Sequence, residues 1–299
     1  MATAVGPVRA RGILGGSSWR IARVSGIDIA IDQSWVLIFA LISMSISAQL
    51  AASHADVAVG ARWAMAFAVA CAFFVSIVLH ELGHSLVAQS LGIRVRSITL
   101  FLFGGVAALE SEPKKPMHEV GVALAGPAVS VSLAGLFSVL AGGVGEATFV
   151  GAGLGWLARV NLALGIFNLA PGFPLDGGRV LRGALWAATG SFTRATRIAS
   201  AAGAGIALLM MAAGAALAFA SRDLIGGLWL VFLGWFLLSA SRSAVGAMEF
   251  ERILGSVSVR DVLEPVHPIR HALELHESIV GSWLWIRPNS AGNLLNSYP

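Results

Sequence analysis

His80-Glu81-Leu82-Gly83-His84 stands at the end of an uncharged apolar run, Trp63 to Leu79. At helical spacing the two histidines fall one turn apart on one face, where both imidazoles can bind a single Zn²⁺. Glu81, between them, is placed to take a proton from water. In a soluble chain the same five residues would mark an ordinary zinc hydrolase. At the end of a hydrophobic helix they point to hydrolysis inside a membrane, so residues 63–84 decide fold and chemistry together.

The composition agrees. The chain is 57% hydrophobic and 12% charged, whereas soluble domains carry about 25% charged residues. Its mean hydropathy of +0.80 places it in lipid. The pI near 10.2 invites a nucleic-acid partner. The net charge is only +4, however, and the basic residues gather at the ends of apolar runs. That is membrane topology, and no nucleic-acid partner is expected. Cys71 is the single cysteine, so no disulfide forms within the chain, and its place in an apolar run predicts a small buried hydrophobe. Arg9, Arg11, Arg20 and Arg23 precede Ile27 with no apolar core between them, unlike a cleaved signal peptide.

Six segments lack Asp, Glu, Lys, Arg and His: 33–53, 63–79, 120–145, 160–175, 198–221 and 224–241. A bilayer-crossing helix needs roughly 17–25 such residues. The fold class expected is therefore an all-α polytopic membrane protein of about six transmembrane helices. In the fourth segment Gly151, Gly153 and Gly155 loosen the start, and Arg159 is expected to snorkel to the interface beside Trp156. An even number of spans puts both termini on one side, and that side holds 17 of the 20 Lys and Arg. The excess marks it as cytoplasmic, in the plasma membrane of the cell. The second helix then runs from outside to inside. His80 lies 18 residues beyond Arg62, roughly 27 Å along a helix axis, within the cytoplasmic part of the bilayer. Residues 1–25 read as a cytoplasmic N-terminal segment, 26–248 as the six-helix domain and 249–299 as a short cytoplasmic tail.

The connection after the second helix has its own pattern. Ile93 to Leu100 alternates apolar and polar residues, as a half-buried strand does, and Phe101 to Leu109 carries Gly104-Gly105 between apolar neighbours. A small β-hairpin or sheet beside the active helix is expected, its backbone satisfied within the protein.

A hydrolytic zinc takes three protein ligands and keeps one position open. The third is sought in Asn168-Leu-Ala-Pro-Gly-Phe-Pro-Leu-Asp176-Gly-Gly-Arg179. Pro171 and Pro174 break the fourth helix, and the glycines after Asp176 let the acid turn inward. This helix also runs outside to inside, so Asp176 reaches the depth of His80 and His84. Asn168 either donates a hydrogen bond to the oxyanion or substrate backbone, or caps broken helix ends.

The pentapeptide together with Asn168 to Gly178 resembles the site-2 protease family, intramembrane zinc metalloproteases of class M50. The resemblance covers about Gly26 to Met248. It implies one Zn²⁺ held by His80, His84 and Asp176, with Glu81 as catalytic base. Phe103-Gly104-Gly105-Val106 resembles the family's glycine-containing strand near the substrate path, giving Gly104 and Gly105 a substrate-binding role, and Ala125-Gly126-Pro127 resembles the Gly-Pro of its third helix. It also implies membrane-anchored substrates such as anti-sigma factors or remnant signal peptides. Two other functions fit six spans with buried polar groups: a catalytically silent membrane scaffold of the same fold, and a metal or proton transporter. Neither needs Glu81 between zinc-spaced histidines. A homo-oligomer is left open. After the last span, Ser256 to Leu263 resembles the start of a cystathionine-β-synthase (CBS) domain, with too little chain beyond it for a pair. His267, His271 and His276 read as exposed residues rather than a second metal site.

Overall fold

The computed structural model of the chain describes residues 18–102, 104–220 and 223–256. Phe103, the segment resembling a CBS start beyond Ser256, and His267, His271 and His276 lie outside the described residues. The described residues up to Met248 form one compact unit.

Seven helices are described. They are α1 (Trp35–Ser53), α2 (Val59–Ser90), α3 (Pro116–Val144), α4 (Phe149–Asn168), α5 (Asp176–Thr189), α6 (Phe192–Ala220) and α7 (Leu224–Ser256). All but α5 contain a stretch long and apolar enough to cross a membrane. Large apolar side chains lie bare on their outer faces; Val139 is 75% exposed and Leu209 72%. In water that would be a liability; in lipid it costs nothing.

Two expectations are corrected here. The fourth spanning helix begins at Phe149, not Val160, and ends at Asn168, not Leu175. Thr148 caps it by accepting from Gly151 N at 3.0 Å, which overrides the looseness of three early glycines. Arg159 therefore sits inside the helix, exposed, with its guanidinium folded back over Gly155, where a Cβ would lie 3.3 Å from it. Cys71 is exposed rather than buried. An apolar run in lipid has no obligatory inside, so hydrophobicity alone could not assign Cys71 a face.

The β element is a four-stranded sheet of order β1-β2-β3-β4. Its strands are β1 (Ser18–Val24), β2 (Ile27–Asp32), β3 (Val95–Phe101) and β4 (Gly104–Leu109). The hairpin β3–β4 is where the alternation placed it. The pair β1–β2 precedes the first helix and was not anticipated, so part of the N-terminal segment belongs to the sheet. Ser25 and Gly26 both take positive φ, 50° and 82°, the geometry of a tight two-residue hairpin turn. The intervening α1 and α2 allow β2 and β3 to pair in parallel, Asp28 opposite Ser97 through Ile31 opposite Leu100. Ile27, Ile93, Val95 and Ile98 pack against Ala88 of α2 and Val122 of α3. The sheet is thereby fixed to the ends of the two helices that carry the site.

Candidate metal and catalytic centre

His80 lies ten residues before the end of α2 at Ser90, about 15 Å along the axis. Both histidines are buried, at 4% and 6% exposure. Their Nε2 atoms stand 3.2 Å apart, and Asp176 Oδ2 lies 3.2 Å from each. A tetrahedral zinc bound at ~2.0–2.1 Å sets its ligand atoms about 3.3 Å apart. The three edges of this triangle match that spacing.

The far side of each ring is held by α3. His84 Nδ1 lies 2.7 Å from Val122 O, which can only accept, so Nδ1 carries the proton and Nε2 a lone pair. His80 Nδ1 lies 2.8 Å from Ser130 Oγ. Ser130 can accept from His80 Nδ1 in the same way; with both rings in that neutral tautomer, two Nε2 lone pairs and a carboxylate oxygen face one another at the centre. Without a cation that arrangement repels itself; with one it is a ligand set whose outer hydrogen bonds fix each ring.

Asp176 is the first residue of α5. The chain leaves α4 through Pro171 and Pro174 and re-enters helix there, and backbone contacts press the turn together. A Cβ on Gly172 would run into Gly203 of α6, and one on Gly178 would run into Gly172 and Phe173. Phe173 N donates to Ala199 O of α6 at 3.2 Å.

Helix α3 leaves room for an ion. A Cβ on Gly126 would fall 2.7 Å from His80 Nε2 and closer still to His84 Nε2. On the other side of α2, Glu81 leans on β4, where a Cβ at Gly105 would lie 2.6 Å from Glu81 Cγ and 3.2 Å from Oε1. Gly104 answers a different need: its φ of 130° is strained for any other residue, and nothing lies within 4 Å of the place a Cβ would take. Asn168, half-buried at the end of α4, donates from Nδ2 to Leu164 O of its own helix at 2.9 Å.

The structure thus brings together His80, His84 and Asp176, with Glu81 and Gly105 alongside. Sequence reasoning missed Ser130 and the carbonyl of Val122. Their signal was Val122, Gly126 and Ser130 at spacings of four on α3, one helical face, and it is visible only once that face is known to meet the histidines.

Comparison with known proteins agrees with this centre. The profile of peptidase family M50 matches residues 68–152 and 132–212. The zinc metalloprotease homologue sll0528 of Synechocystis is 37% identical over 90% of this chain and 72% of its own length. The chain belongs to peptidase family M50. Rip3 of Mycobacterium tuberculosis, also named for zinc metalloprotease activity, is 37% identical over 81% of this chain and 62% of its own length. A solved site-2 protease from Methanocaldococcus jannaschii superposes with a TM-score of 0.53 at 30% identity, covering 76% of this chain and 95% of its own. This M50 chain is a multi-pass membrane protein and an intramembrane zinc metalloprotease of the site-2 type, acting on membrane proteins.

Proposed function

We propose that His80, His84 and Asp176 hold the zinc and that Glu81 is the catalytic base. The observation that carries this reading is the triangle of three ligand atoms at 3.2 Å with both histidine Nδ1 atoms engaged elsewhere. Zinc bound there would acidify water and polarise the scissile carbonyl. Glu81 takes the proton from the attacking water and delivers it to the leaving amine. Its carboxylate is held against Gly105, on the strand that edges the sheet. A transmembrane helix hides its carbonyls in its own hydrogen bonds, so the substrate must unwind before attack. The free edge of β4 can hold the unwound segment as an added strand and set one peptide bond beside Glu81. Gly104 and Gly105 keep that edge bare of side chains. Asn168 Nδ2 donates one of its two hydrogens to Leu164 O; the second is left to serve an oxyanion or the substrate backbone.

Both termini face the cytoplasm in this reading, and the chain sits in the cell membrane. The support is the 17 of 20 Lys and Arg on one side. Water then reaches Glu81 from the cytoplasmic side. The substrates are membrane-anchored proteins, with anti-sigma factors and remnant signal peptides as the classes the family suggests. Glu81→Gln protein expressed in cells should retain uncut membrane-anchored proteins that co-purify and are identified by mass spectrometry. Equal recovery of the same uncut proteins with the parent, whose Glu81 is intact, would show that their cleavage does not need Glu81 and would overturn the assignment.

A further inference from the structure

Glu119 and Arg182 are the deepest ion pair among the described residues that the centre does not use. Glu119 is 0% exposed and Arg182 6%. Arg182 Nε donates to Glu119 Oε1 at 2.6 Å, and its Nη2 makes a second contact to the same oxygen. The Nη2 also lies 3.6 Å from Glu112, which is largely exposed. The guanidinium is sandwiched between two rings, 5.1 Å from the centre of Phe173 and 4.5 Å from that of Phe192. Phe173 belongs to the turn that leads into Asp176, and Phe192 opens α6.

The two partners sit on the two elements that must agree for three ligands to converge. Glu119, Val122, Gly126 and Ser130 follow one another on one face of α3 at spacings of three, four and four. The last three orient or abut His80 and His84. Arg182 lies six residues after Asp176 on α5. Gly183, next to Arg182, meets the start of α3, where a Cβ would be 2.7 Å from Val120 Cγ2 and 3.0 Å from Pro116 O. A glycine contact permits close approach but sets no register along the helix. A buried charge pair in which two guanidinium nitrogens converge on one carboxylate oxygen does. A buried pair adds little net stability, because desolving both charges offsets their attraction, and specifying one arrangement is its best-attested use.

We propose that Glu119–Arg182 is a positioning pair that sets Asp176 at ligand distance from the two histidines on α2. This rests on the reading of His80, His84 and Asp176 as the zinc ligands. Helix α3 then acts as a common ruler: it orients the histidines through Val122 and Ser130 and the carboxylate through Glu119.

The test compares parent, Glu119→Gln and Arg182→Lys, purified in detergent. Three readouts are taken: zinc release to a chelator, the visible spectrum after Co²⁺ exchange, and the melting temperature of the metal-free proteins. Both variants should release zinc about 10–100-fold faster, the usual effect of losing an outer partner of a metal site. Their Co²⁺ bands should shift; metal-free melting should fall in Glu119→Gln, which leaves the Arg182 charge buried without its partner, and less in Arg182→Lys, which keeps the pair of charges. Arg182→Lys, which keeps the buried charge but loses the second nitrogen, decides the question if Glu119→Gln does not fold. Zinc release and Co²⁺ spectra equal to the parent's would overturn the proposal, whatever happens to melting, since a lowered melting temperature alone is what a purely structural pair gives. A parent that binds no zinc would sink the ligand assignment beneath it instead, and the two failures are distinguishable.

Discussion

Gly126 and Ser130 stand one turn apart on α3, and they make opposite demands on the centre. Gly126 must be empty: alanine there would suit a helix better by up to about 1 kcal/mol, yet its methyl would enter the space between the two Nε2 atoms. Gly126→Ala should therefore fold and lose zinc, at least ~10-fold in affinity by equilibrium dialysis; zinc content equal to the parent's would contradict the close approach. Ser130 must be polar, because it holds His80 Nδ1. The motif residues His80, Glu81 and His84 were legible because catalysis forces their types and spacing into five consecutive positions. Asp176 was legible because prolines and glycines announce a broken helix. Ser130 was not, since a serine in an apolar helix ordinarily bonds its own backbone, as Ser132 does to Ala128 O.

At the scale of elements, each glycine contact joins the site to a different neighbour, so the same small substitution should fail in different ways. Gly105→Ala would push β4 against Glu81 and leave the histidines alone. It should retain zinc while the cleavage rate falls by about tenfold or more, the scale expected when a catalytic group is misplaced; loss of zinc with the activity would place Gly105 in the wrong role. Gly203→Ala, on α6, would press on the backbone of Phe173 just before Asp176, 2.7 Å from its nitrogen. It should lose zinc as well as activity, and retained zinc would mean the turn yields without moving the carboxylate. The hairpin β3–β4 was readable from its alternation. The strands β1 and β2 were not, because Arg20 and Arg23 there read as topology signals, whereas both sit near Asp28 at 3.5–3.6 Å across the sheet. Helix α5 was hidden too: it begins at the very residue that the prolines marked as a break.

At the scale of the whole molecule the orientation rests on charge asymmetry. The spans themselves were legible because lipid imposes length and apolarity on every crossing helix. Their ends were less so, since hydropathy locates an apolar run and caps locate a helix, as Thr148 shows at the start of α4. The orientation can be read chemically. With Cys71 replaced by serine, a cysteine at Asp56, in the turn between α1 and α2, should react with a membrane-impermeant maleimide added to intact cells. One at Ala188, exposed near the end of α5, should react only after permeabilisation. The reverse pattern would invert the chain and move water access to the other side.

The account's central claim is that one buried zinc is held by three side chains and that a fourth, Glu81, does the proton work without holding it. Zinc content and cleavage of a transmembrane peptide, measured together on purified parent, Asp176→Ala and Glu81→Gln, test it most directly. The prediction is one zinc and cleavage in the parent, neither in Asp176→Ala, and one zinc without cleavage in Glu81→Gln. Cleavage by Glu81→Gln at the parent's rate, or full zinc content in Asp176→Ala, would contradict it.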